Sequence, residues 1–220
     1  MLSIGNLQIV EPATMITDYM ITVLAWWLGW KIYVNGKAVC QRWWAVVFAL
    51  IGLSALRGGT YHGYQAVIDP ATNALIWETT RWIVFFVSFT MLVGHSRALF
   101  SAKVKKWIVF FALVKLAIFL SWAFVDESFL VAIADYLPVV LFILVAESFM
   151  WTVHETRESR FLVMGVVVSL LGAAGQQADI GISDHFNHND VYHVVTMAAL
   201  YLFYLGVTKL QDSEDRRSKT

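Results

Sequence analysis

Cysteine and charge are both scarce in this sequence. One thiol, Cys40, stands among 220 residues, so no internal disulfide can form and no multi-cysteine zinc or iron–sulfur site can be built. Charged residues make up 15% of the chain, where a soluble domain carries about 25%. Sixteen basic residues balance sixteen acidic ones, and the lack of a basic excess excludes a nucleic-acid binder. Internal repeats and low-complexity tracts are absent. The first 14 residues hold no Lys or Arg, so a cleaved signal peptide is not expected. What is abundant is apolar surface. Hydrophobic residues reach 59%, with ten Trp, eight Tyr and fifteen Phe, the aromatic supply of a protein that meets lipid headgroups at many helix ends. The composition is that of an integral membrane protein.

A helix needs about 20 mostly apolar residues to cross the hydrocarbon. Seven stretches qualify, near 14–34, 43–63, 76–95, 107–125, 128–150, 161–178 and 190–208. The basic residues alternate between their connections. Lys37 and Arg42 follow the first span, Arg97, Lys103, Lys105 and Lys106 the third, and Arg157 and Arg160 the fifth; Lys209, Arg216, Arg217 and Lys219 lie in the tail. The other connections contain none. The positive-inside rule then places the N-terminus outside and the C-terminus in the cytoplasm. The expected fold is an all-α seven-transmembrane helix bundle over residues 1–210, with a charged cytoplasmic tail over 211–220, multi-pass in the plasma (inner) membrane.

Ionisable groups inside a bilayer are costly, and each asks for a partner or a function. Lys115 is expected to pair with Asp135 or Glu147 on the next helix, and Arg57 and Arg81 with Glu78 or Asp69. Gly165, Gly172 and Gly175 on the sixth span are expected to admit a close helix, and Pro138 to kink the fifth. The histidines are distributed less evenly. His62 ends the second span within Gly58-Gly59-Thr60-Tyr61-His62-Gly63, and His193 opens the seventh, preceded by His185 and His188. Four imidazoles thus share one face of the membrane. Three imidazoles with an open fourth position make a catalytic zinc site, which yields hydroxide near neutral pH. The reading takes His62, His188 and His193 as metal ligands, with His185 as the alternative to His188. Asp184 or Asp190 would orient a ligand through its second ring nitrogen.

The pieces Gly-Gly-Thr-Tyr-His62 and His188-Asn-Asp-Val-Tyr-His193-Val resemble the superfamily of alkaline ceramidases and of progestin and adipoQ receptors. That resemblance implies a zinc held by three histidines inside a seven-helix bundle, cleaving an amide bond in a membrane lipid. His62 and His193 match the family pattern directly; His188 matches with a one-residue shift. Gly58 stands where the family has Ser, so Thr60 or Ser54 would supply the hydroxyl. Glu78 corresponds to the family's acidic residue on the third helix, and Glu78 or Asp190 would carry the proton to the leaving amine. Two other functions fit the same residues. One is a receptor or scaffold with a structural metal. The other is a b-type haem carrier, with His62 and His193 at the outer face and His95 and His154 at the inner.

Overall fold

The structure, a computed structural model, describes residues 2–4, 7–183 and 185–217. A short antiparallel pair, β1 (Leu2–Ile4) and β2 (Leu7–Ile9), leads into helices. The long helices are α1 (Pro12–Asn35), α2 (Val39–Tyr64), α3 (Pro70–Leu99), α4 (Ala102–Ala123), α5 (Phe129–His154), α6 (Arg157–Gln177) and α7 (His188–Val207), and a short α8 (Ser213–Arg217) follows. Each of the seven apolar stretches coincides with one long helix to within a few residues. Six of the long helices, α2 to α7, are long and apolar enough to cross a membrane, the make-up of a multi-pass membrane protein. α1 is as long, at 24 residues, but Asp18, Lys31 and three tryptophans dilute its hydropathy.

Local chemistry sets the helix ends. Asp69 precedes Pro70, and its side chain accepts from Thr72 N at 3.0 Å, a bond that holds its carboxyl below the usual carboxylate range. Ser128 accepts from Leu130 N at 3.1 Å to start α5. At α7, Asn187 Oδ1 accepts from Asn189 N at 2.8 Å while Asn187 N donates back to Asp190 Oδ2 at 2.7 Å, a reciprocal cap. The segment after α7 is not loose. Asp212 accepts from Val39 N and Cys40 N at 2.7 and 3.0 Å, capping α2, and Lys105 meets Glu214 at 2.8 Å.

Consecutive helices pack on one another, α1 closes on α7, and α3 also reaches α5. α4 is peripheral, burying only Ala112, Leu116 and Ala123. The core joins Leu28, Trp44, Phe48, Met91, Ile143, Leu162 and Phe203. Outward, large apolar side chains stand exposed on every side, among them Trp30, Phe111, Val145 and Leu171. So much apolar surface is tolerable only against lipid or a partner. Gly165 and Gly172 bring α6 against Phe203 and Val195 of α7, whereas Gly175 faces open space. Pro138 lies within α5, which continues through it.

Two ion pairs lie in the interior. Lys115 Nζ contacts Asp135 Oδ1, as expected, and also donates to Ser88 Oγ at 2.7 Å. Glu147 instead meets His95, Oε1 to Nε2 at 2.9 Å, with both side chains almost wholly buried. The two arginines differ from expectation. Arg57 donates to the Leu75 carbonyl at 3.3 Å and Arg81 to that of Asp126 at 2.9 Å. Arg81 thereby satisfies a loop carbonyl before α5 that lacks a helical partner, whereas Arg57 adds a further donor to a carbonyl inside α3 that also accepts from Thr79 Oγ1 at 2.6 Å.

Candidate functional site

The site lies where α1 and α7 begin and α2 ends. The chain enters α1 pinned to the last turn of α2: Val10 N donates to Gly63 O at 3.1 Å and Glu11 N to His62 O at 3.2 Å. These backbone bonds set the Glu11 side chain beside His62, Oε2 to Nδ1 at 3.0 Å. A carboxylate accepts, so Nδ1 carries the proton and Nε2 is left for other partners. The His62 side chain is 22% exposed, so this dyad is reached from outside the bundle. Next to it the Tyr61 ring meets the His62 ring edge-on and stacks obliquely on Trp77. Tyr61, Gln65, Asn73 and Trp77 line an open cavity of about 530 Å³.

One turn deeper is a buried polar cluster. Gly58 and Gly59 receive α1: a Cβ on Gly58 would lie 3.2 Å from Asp18 Oδ2, and one on Gly59 only 2.9 Å from Asp18 Cβ and from the Tyr19 ring. The two glycines therefore accommodate Asp18 and Tyr19. Across from them, His193 Nδ1 lies 2.8 Å from Thr17 Oγ1, and His193 Nε2 lies 3.4 Å from Asp18 Oδ1. Thr17 spends its hydroxyl proton on the Ala13 and Thr14 carbonyls, each at 3.0 Å. His193 thus bridges the Thr17 hydroxyl and the Asp18 carboxylate through its two ring nitrogens. Asp190, one turn before His193 on α7, is 1% exposed. Its Oδ2 takes the Asn187 N–H, while its buried Oδ1 has no hydrogen-bond partner among the described residues. Asp18 and Asp190 are close enough for their charges to repel.

Of the residues singled out in the sequence, His62, His193 and Asp190 therefore gather at this end. His188 Nδ1 contacts Asp179 in the partly exposed opening of α7, and His185 is exposed in the preceding loop. Asp184 lies outside the described residues. Thr60 donates to Leu56 O at 2.8 Å and is 3.3 Å from Tyr19 OH. Glu78 is half-buried on α3 and, among the described residues, forms no ion pair with either site histidine. The inner histidines diverge: His95 is buried on Glu147, whereas His154 is exposed at the end of α5. Among the described residues no three His, Cys, Asp or Glu side chains form a ready metal-holding group. The three-imidazole zinc set does not fit this arrangement.

Glu11, Thr17 and Asp18 were not assigned to the site from sequence. Two signals pointed to Asp18: it is an acid about one turn inside the first span, and the second span offers Gly58-Gly59 at matching depth.

A helical bundle with apolar outer faces and a polar cluster at one end defines the class of protein, and comparison narrows it to a family. Residues 13–212 match the model of a family of unknown function, DUF6962, and the chain belongs to that family. Neither the curated proteins nor the solved structures contain a match.

Proposed function

We propose that the protein is a seven-span membrane hydrolase of the plasma membrane, N-terminus outside, that cleaves an amide bond in a lipid at the outer leaflet. The observation that carries this reading is the Glu11–His62 dyad, 3.0 Å apart, at the exposed edge of the polar cluster where α1 and α7 begin and α2 ends. A carboxylate holding Nδ1–H orients the ring and leaves Nε2 free to take a proton. The resemblance noted in the sequence supplies the substrate class. With α1 counted as a span beside the six more apolar helices, the alternation of basic connections puts this end outside.

His62 Nε2 removes a proton from water as its oxygen adds to the amide carbonyl. The resulting imidazolium, steadied by Glu11, returns that proton to the nitrogen as the C–N bond breaks. Water is consumed, and a carboxylic acid and an amine leave. The cavity beside Tyr61 and Trp77 accepts the headgroup, its aromatic walls suiting the interface, while the acyl chain stays in the bilayer. Purified protein in mixed micelles, offered a panel of N-acyl lipids, should release free amine and fatty acid in equal amounts. A panel left intact by folded protein would overturn the proposal.

A further inference from the structure

We infer that the cavity beside Tyr61 and Trp77, together with Arg57 one helical turn deeper, binds the phosphocholine group of a membrane lipid. The inference rests on the proposed reading for a lipid headgroup in this cavity, but its test needs no hydrolysis.

The first observation is a cation without a countercharge. Arg57 lies within α2, and among the described residues it forms no ion pair. Its Nη2 donates to the Leu75 carbonyl at 3.3 Å, an oxygen already served by Thr79 Oγ1 at 2.6 Å. Its Nε is buried and has no hydrogen-bond partner among the described residues. A guanidinium inside a membrane helix is costly unless it is paired, and its planar fork matches the oxygens of a phosphate. Leu75 falls in sequence between Ala74 and Trp77, two residues that line the cavity.

The second observation is the cavity wall. Tyr61 follows Arg57 by one turn and shares its face of α2. Aromatic rings run from Tyr61 to Trp77, with centroids 5.4 Å apart, and from Trp77 to Phe129 of α5 at 5.7 Å. Asn73 fixes the outer wall, donating from Nδ2 to the Gln65 and Ile68 carbonyls at 2.8 and 3.2 Å. Its buried Oδ1 is an acceptor with no hydrogen-bond partner among the described residues. Among the described residues, no Lys, Arg or His lines the cavity. Its volume of about 530 Å³ falls within the range of small-molecule pockets, about 300–1,000 Å³. Aromatic faces attract a quaternary ammonium.

The third observation is the order of charge. Tyr61 lies one turn, about 6 Å, further out along α2 than Arg57. The exposed Asp69 lies beyond both, in the connection that opens α3. In a phosphocholine lipid the phosphate adjoins the acyl region and the ammonium points away from it. The cation, the aromatic wall and the carboxylate of the protein therefore follow the headgroup in matching order. A free anion would engage Arg57 alone and leave the aromatic wall unused. Tyr61 also meets the His62 ring, so joined to the proposed chemistry the substrate is an N-acyl lipid that carries phosphocholine.

Native mass spectrometry of the full chain in maltoside detergent tests this by counting retained lipids. Phosphatidylcholine, phosphatidylethanolamine and phosphatidylglycerol of identical acyl chains are titrated in separately. One phosphatidylcholine per chain should be held in preference to the other two. Arg57→Gln, which keeps a donor for the Leu75 carbonyl, should weaken that retention by at least about tenfold, the worth of a hydrogen bond to a charged group. Trp77→Leu should lower the preference for choline over ethanolamine by about two- to fivefold, the worth of a cation–π contact. Helicity and gel-filtration profile establish folding, and if Trp77→Leu fails there, Tyr61→Leu decides. Folded wild type that holds the three lipids equally would overturn the inference, as would retention unchanged in both Arg57→Gln and Trp77→Leu. Binding of soluble phosphocholine with no preference among the lipids would overturn the lipid as its source. Choline-lipid retention by a protein inert toward every N-acyl lipid would sustain this site and sink the hydrolase; amine release without any headgroup preference would do the reverse.

Discussion

Replacing Lys115 by Met separates the two halves of an interior ion pair. The Lys115 side chain is 21% exposed and the Asp135 side chain not at all. Met keeps the length and apolar stem of lysine but removes the ammonium that contacts Asp135 and Ser88. Asp135 is then a carboxylate with no countercharge among Val131, Ala132 and Val139, all nearly inaccessible. Breaking a buried pair from one side costs about 3–5 kcal/mol. The opposite variant, Asp135→Leu, should cost less, because the partly exposed lysine can turn its charge toward the interface. The double variant Lys115→Met/Asp135→Leu should return to within about 1 kcal/mol of the wild type, since an apolar replacement of both partners removes the desolvation cost as well. Denaturant unfolding in detergent, followed by tryptophan fluorescence, gives all four corners of the cycle. Equal losses for the two single variants, or additive losses in the double, would refute the reasoning.

Other expectations follow from the same structure. Gly59→Leu drives a side chain into Asp18 and Tyr19, and overpacking of this kind should lower stability by about 1–3 kcal/mol, seen as an earlier unfolding midpoint. Asp212→Ala removes the cap on Val39 N and Cys40 N and should cost about 0.5–2 kcal/mol. The same variant should admit maleimide to Cys40, which is fully buried in the wild type; an unchanged labelling rate would argue against the tail as a clasp. If the N-terminus is outside, a cysteine placed in the loop at Ala66 should react with an impermeant reagent on whole cells and one at Lys103 should not.

The helices were legible because their length and hydropathy are local properties. Seven apolar stretches became seven long helices, and Lys115 found Asp135 because sequential helices pack together. Partner choice across the bundle was less legible. Arg57 and Arg81 turned to backbone carbonyls, an option that a search for acidic residues overlooks. His188 sits where its helix starts, so Asp179 of the preceding turn captures it. Glu11 reaches His62 only because two backbone hydrogen bonds fasten the entry of α1 to the end of α2, a contact spanning 51 positions with no motif to announce it. Gly58 and Gly59 leave room on the second helix, and what fills it comes from the first.

The most direct test of the proposed chemistry is amine release from N-acyl lipid by wild-type protein and by His62→Gln, measured side by side at matched folding. The expected result is steady release by the wild type and a fall of about 10²–10⁴-fold in His62→Gln, the contribution of a positioned base. Glu11→Gln should fall between the two. Undiminished release by His62→Gln would contradict the assignment of that imidazole as the proton carrier.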